Sequence, residues 1–170
     1  MKYVFLIVSL CFALNVKAQN DIFDAARNND TIAIKKYIES KKNIDTLNSN
    51  NHSLLILAAY NLAFETGQIL LTNGANTEIQ DNSGNTALMG ACFKGNTKMV
   101  RLLLDFNVKT NCLNYNNANA LFFASTFGHT EIVKMLLKKG IDKRRKDLLG
   151  KSALDYAIIQ ENEEIVKLLK

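Results

Sequence analysis

Apolar residues along this chain return at helical spacing in short bursts, and polar loops interrupt them at regular distances. Leu88 and Ala91 fall on one helical face, and Met99, Val100, Leu103 and Leu104 on the face of the next helix. Stretches rich in Asn, Asp and Gly, at 78–85 and 107–117, close one helix pair and open the next. The pattern predicts an all-α chain of helix–turn–helix units joined by hairpin loops.

The units are copies of one another. Asn85 to Ala91, Ala118 to Ala124 and Lys151 to Ala157 align at a constant step of 33 residues, and stepping back from Ala91 reaches Ala58 and Ala25. Gly95 maps onto Gly128, Val100 onto Val133 and Val166, and Leu70-Leu71 onto Leu103-Leu104 and Leu136-Leu137, with no insertion. A single helix pair cannot bury its apolar stripe alone, so stacked neighbours must supply the core. The expected units run over about 20–47, 48–80, 81–113, 114–146 and 147–170. The polar first unit and the charged outer side of the last read as the two end caps.

Residues 128–140 (GHTEIVKMLLKKG) and 73–76 (NGAN) carry a resemblance to ankyrin repeats. That family's pattern is Thr-Pro-Leu-His at the first helix, then Ala-Ala, Gly-His, Ile-Val-x-x-Leu-Leu and Gly-Ala. The match extends from about Asp21 to Lys170 and implies an ankyrin-repeat solenoid of about five units. The departures are specific. Leu54, Ala87, Ala120 and Ala153 replace the usual proline, so the first helices should start on Ser53, Thr86, Asn119 and Ser152 as N-caps. Ile56, Met89, Phe122 and Asp155 replace the usual histidine, while His129 keeps the loop histidine, which in the family bonds backbone. Asn51 and Asn117 stand where glycine is common and tolerate left-handed backbone.

The resemblance implies a protein-binding module whose concave surface joins the hairpin tips to the exposed side of the first helices. Register transfers that surface to Ser49, Asn50, His52, Tyr60 and Asn61, then to Asn82, Ser83, Asn85, Phe93 and Lys94. The fourth unit contributes Tyr115, Asn116, Ala118, Thr126 and Phe127, and the fifth Leu148, Leu149, Lys151, Ile159 and Gln160. Tyr60, Phe93, Tyr115, Phe127 and Ile159 are large apolar groups at these positions. They either line one shared groove or pack locally on the neighbouring repeat. Lys143 to Lys146, with Lys151 nearby, form a basic hairpin, either a solvated loop or a lure for an acidic partner. The candidate binding residues are Tyr60, Asn85, Phe93, Tyr115, Phe127, Arg144, Arg145, Lys151 and Ile159.

The N-terminus adds a destination. Lys2 precedes an uncharged apolar run from Tyr3 to Leu14, and Val16-Lys17-Ala18 offers a cleavage site, so residues 1–18 read as a signal peptide and 19–170 as the mature repeat domain. A periplasmic or secreted protein beginning at Gln19 is expected. The alternative is an uncut anchor on an accessory protein that supports another enzyme, for instance in oxidative-stress defence. Sequencing the mature N-terminus separates the two. Cleavage takes away Lys2 and Lys17, leaving 21 − 2 = 19 basic residues against 16 acidic, a net charge of +3 in place of +5. Nucleic acid is not an expected partner for an exported chain.

Chemistry is absent from the pattern. His52, expected on a hairpin surface, and His129 lie in different repeats, no cysteine spacing suits zinc, and no glycine-rich phosphate loop precedes a helix. No Ser-His-Asp set emerges. Cys92 and Cys112 are expected as reduced thiols. The chain is expected to be a non-enzymatic monomer with no cofactor, metal or small-molecule substrate, binding another protein. Inhibition of an exported enzyme, or self-protection against it, is the sharper version of that role.

Overall fold

The structure, a computed structural model, describes residues 22–170. The signal-peptide expectation for residues 1–18 and the mature start at Gln19 lie outside the described residues. Five helix pairs follow one another: α1 (22–27) with α2 (Thr31–Glu39), α3 (Leu54–Tyr60) with α4 (Phe64–Thr72), and α5 (Ala87–Phe93) with α6 (Thr97–Asp105). They continue with α7 (Ala120–Thr126) and α8 (Thr130–Lys138), then α9 (Ala153–Ile159) and α10 (Glu163–Leu169). The first unit, expected only as a polar cap, has a short first helix of its own. Strand-like pairing among the described residues is limited to isolated bridges, Leu47 with Ser53 and Lys146 with Ser152, at the feet of two hairpins.

The helices form two layers. α3, α5, α7 and α9 pack side by side, while α2, α4, α6, α8 and α10 make the outer layer. An inner helix with neighbours on both flanks is covered on nearly every side, so all six residues from Leu54 to Ala59 in α3 are buried, whereas α9 at the end buries only Ala153 and Ala157. Outer helices bury one stripe, such as Met99, Val100, Leu103 and Leu104 in α6 or Ile132, Val133 and Leu136 in α8. Ala58, Ala91, Ala124 and Ala157 are fully buried, one per unit, because only a methyl fits where the layers approach most closely.

The first helices start where expected. Ser53 accepts from Ile56 N–H, Thr86 from Met89 N–H, Asn119 from Leu121 N–H and Ser152 from Asp155 N–H. These bonds do the work of a missing proline by satisfying orphan donors of the first turn. In the last unit Asp155 reciprocates, its carboxylate accepting from Ser152 N–H at 2.7 Å and closing a capping box.

Backbone handedness repeats as faithfully as sequence. The turn inside each helix pair has one positive-φ residue: Asn29, Leu62, Gly95, Gly128 and Glu161. The hairpin tips have another: Asn51, Gly84, Asn117 and Gly150. Asparagine and glycine suit the position. Leu62, at φ 61° and 58% exposed, gains no packing to offset the clash of its Cβ with the following carbonyl. Leu62→Gly is therefore expected to stabilise the domain by about 0.5–1 kcal/mol, since glycine's unfolded-state entropy cancels part of the relief. A raised urea midpoint at unchanged slope checks it.

Candidate functional site

Hairpins and inner helices meet along one side of the stack. Each hairpin from the second unit on is pinned by an Asx side chain at a step of 33: Asn48, Asp81, Asn114 and Asp147. The Oδ1 of each accepts from backbone N–H groups two and four residues on, at 2.8–3.0 Å. Adjacent tips are laced together by backbone bonds, Asn82 N–H to Asn50 O at 3.2 Å, Tyr115 N–H to Ser83 O at 3.1 Å and Leu148 N–H to Asn116 O at 3.1 Å. The tips thus form one continuous ridge whose side chains point where the backbone holds them.

Behind the ridge the inner helices present a row of aromatic rings. His52 lies 6.2 Å from Tyr60, Tyr60 6.1 Å from Phe93, and Phe93 4.7 Å from Phe127 in an edge-on contact. Phe93 also meets Phe123 at 6.5 Å, and Phe122 meets Tyr156 at 6.0 Å in the next unit. Gly90 makes the row possible: a Cβ there would stand 2.8 Å from the Tyr60 ring, so any side chain would displace it. Between the fourth and fifth units the rings wall a hollow of about 190 Å³, lined by Phe122, Phe123, Phe127 and Tyr156 with Asn116 and Asp147 at its polar rim.

Polar groups brace the row from below. Asp81 is buried; its carboxylate accepts from Ser83 and Asn85 N–H, and His52 Nε2 lies 3.8 Å from its Oδ2. Asn114 Nδ2 donates to Asn85 Oδ1 at 2.9 Å, and Gln80 Nε2 to the Leu113 backbone O at 2.9 Å, so side chains stitch the third and fourth hairpins together. Burial first, then the negative Asp81, pushes the Tyr60 hydroxyl up to about 12 against a hydrogen bond with Asn85. Tyr60 is thus a neutral wall group at physiological pH, suited to packing. Cations flank the rings, Lys94 Nζ lying 5.4 Å from the Phe93 ring centre and Lys151 Nζ 5.7 Å from that of Tyr156.

The structure brings three of the five apolar candidates together: Tyr60 and Phe93, half-buried, and Phe127, 49% exposed. Each of these rings packs on the neighbouring repeat and still shows an edge to solvent. Tyr115 stands apart on the ridge, 65% exposed and lying over Gly84. Ile159 is exposed at the end of α9, where Tyr156, one turn earlier, faces the hollow instead. Asn85 is a brace between hairpins. Arg144 and Arg145 precede the last tip and Lys151 follows it. His52 is not the free surface residue expected but is half-buried against Asp81. His129 does bond backbone, its Nε2 3.4 Å from Phe93 O.

Phe123 and Tyr156 were not among the sequence candidates. The signal was present: 57, 90, 123 and 156 form a register column one helical turn before 60, 93, 126 and 159. Leu57 and Gly90 occupy its first two places and disguise it.

No group of His, Cys, Asp and Glu among the described residues could hold a metal ion. Cys92 and Cys112 are both free. Burial raises both thiols, and the nearby Glu78 charge adds to it at Cys112, so neither is a ready thiolate at neutral pH. The last helix begins at Glu163, so Glu163 and Glu164 sit in its first turn, while Glu161 lies in the preceding left-handed turn.

Sequence profiles agree with this architecture. The profile for ankyrin repeats in three copies matches residues 22–112, 55–147 and 105–170, which together span the whole described chain. The protein belongs to the ankyrin-repeat family, a class of protein-interaction modules. It is similar to an ankyrin repeat protein of Acanthamoeba polyphaga mimivirus, 43% identical over 75 residues. That stretch is 44% of this chain and only 18% of the viral protein.

Proposed function

We propose that this protein is an exported, monomeric binding module, periplasmic or secreted, that grips a partner protein along the aromatic row from Tyr60 to Phe127. The observation that carries the reading is the Phe93–Phe127 pair. Two rings at 4.7 Å are held by packing and still partly open to solvent, so they offer apolar area whose rotamer entropy is already lost. The basic hairpin around Arg144, Arg145 and Lys151 favours a partner with an acidic face, which it would attract from a distance. Blocking the active site of an exported enzyme, as inhibitor or as self-protection, suits a small chain of this chemistry.

The double variant Phe93→Ala, Phe127→Ala tests the groove. Partners recovered with the wild type from the periplasmic fraction should be lost, with affinity lowered at least about a hundredfold if these rings are hot spots. Equal recovery of every partner by wild type and variant would remove the groove reading.

A further inference from the structure

The last hairpin tip is unlike the others. At matching places on the ridge the second and third units carry Ser49-Asn50 and Asn82-Ser83, and polar Asn82 makes the same N–H bond to the preceding tip that Leu148 makes. The fifth unit carries Leu148 and Leu149, 71% and 77% exposed, and the neighbouring tip carries Tyr115 at 65%. The fold does not need apolar groups there, and the three stand exposed on two adjacent tips, making that end of the ridge an apolar edge. They cannot turn inward. Leu148 N–H is tied to Asn116 O, Leu149 N–H to Asp147 Oδ1 at 2.9 Å, and Gly150 N–H to Asp147 O at 3.0 Å.

Around this edge stand Lys143, Arg144, Arg145, Lys146 and Lys151. None of the five makes a direct ion pair with an acidic side chain among the described residues. The three local acids are engaged within the unit: Asp142 accepts from Arg144 N–H, Asp147 from Leu149 and Lys151 N–H and the Tyr156 hydroxyl, and Asp155, which also feels the Lys146 and Lys151 charges, from Ser152 N–H and its hydroxyl.

We propose that the Tyr115–Leu148–Leu149 edge, with its basic surround, docks the protein on an anionic phospholipid bilayer. Exposed leucines at a protruding, rigid tip can enter the acyl boundary while long Lys and Arg side chains reach phosphate headgroups around them. A protein partner would have to offer an apolar socket rimmed with acid; a bilayer offers that arrangement at every point. The aromatic row is not involved, so the two readings share only the basic hairpin, and the leucine and phenylalanine variants separate them.

The chain has no tryptophan, so Leu149→Trp gives a single reporter at the tip. With vesicles of equal phosphatidylcholine and phosphatidylglycerol its emission should shift to the blue. Phosphatidylcholine alone and soluble polyglutamate should leave it unmoved. In co-sedimentation, Leu148→Ser with Leu149→Ser should lower partitioning into the anionic vesicles by roughly tenfold or more, at an unchanged melting temperature. Added salt should weaken the wild type. The groove variant Phe93→Ala, Phe127→Ala should sediment like wild type. The proposal is overturned if the reporter shifts with no vesicle, if polyglutamate shifts it equally (an acidic protein is then the partner), or if the serine variant sediments as well as wild type.

Discussion

Leu103→Ala is expected to destabilise the domain by about 2–5 kcal/mol, the range for removing a fully enclosed leucine when the site cannot collapse. Leu103 has no exposed surface and sits on the inward stripe of α6, which packs between α4 and α8. A void there has consequences beyond its own unit. In a stack each repeat touches only its neighbours, so stability is a sum of unit and interface contributions, and damage at the middle unit weakens the coupling on both sides. Urea unfolding should show a midpoint lowered by roughly 1–2 M at ordinary slopes for a chain this size. Leu102, the half-buried neighbour, serves as the control and should cost clearly less. A Leu103→Ala midpoint no lower than that of Leu102→Ala would contradict the packing described here.

Gly84→Ala is expected to cost roughly 2–4 kcal/mol, although its equivalent in the last unit, Gly150→Ala, should cost only about 1–2. Both glycines are left-handed, at φ 78° and 73°, so both variants meet the same clash between Cβ and the following carbonyl. They differ in surroundings. A Cβ on Gly84 would stand 2.7 Å from Tyr115 N and 3.0 Å from Asn114 Cα, whereas Gly150 has nothing within 4 Å. The methyl at position 84 must push the neighbouring tip away, and the bond from Tyr115 N–H to Ser83 O lies in its path. Measuring both variants isolates the inter-tip contact. Equal losses would mean the tips are not coupled.

The repeat itself was legible at once because a solenoid imposes the same packing on each unit, and the step of 33 survives wherever packing decides the residue. Ala58, Ala91, Ala124 and Ala157 are recognisable for that reason, as are the Ser, Thr and Asn caps and left-handed Asn51 and Asn117. Leu62 was not legible as left-handed. Nothing in a leucine announces such a backbone, and only the column it shares with Gly95 and Gly128 explains it. The site was readable in part. Tyr60, Phe93 and Phe127 stand out as large groups at positions where packing leaves the residue free.

The residues by themselves determined a stack of helix pairs, its caps, its polar hairpins and the side on which apolar groups accumulate, since each depends on spacing within one unit. The tertiary structure alone decided which rings touch. Tyr60 reaches Phe93 across the space left by Gly90, Asn85 is spent on bracing Asn114, and Tyr156 rather than Ile159 faces the hollow. Those outcomes depend on distances between units, and a period along the chain carries no information about how far apart two neighbouring copies settle.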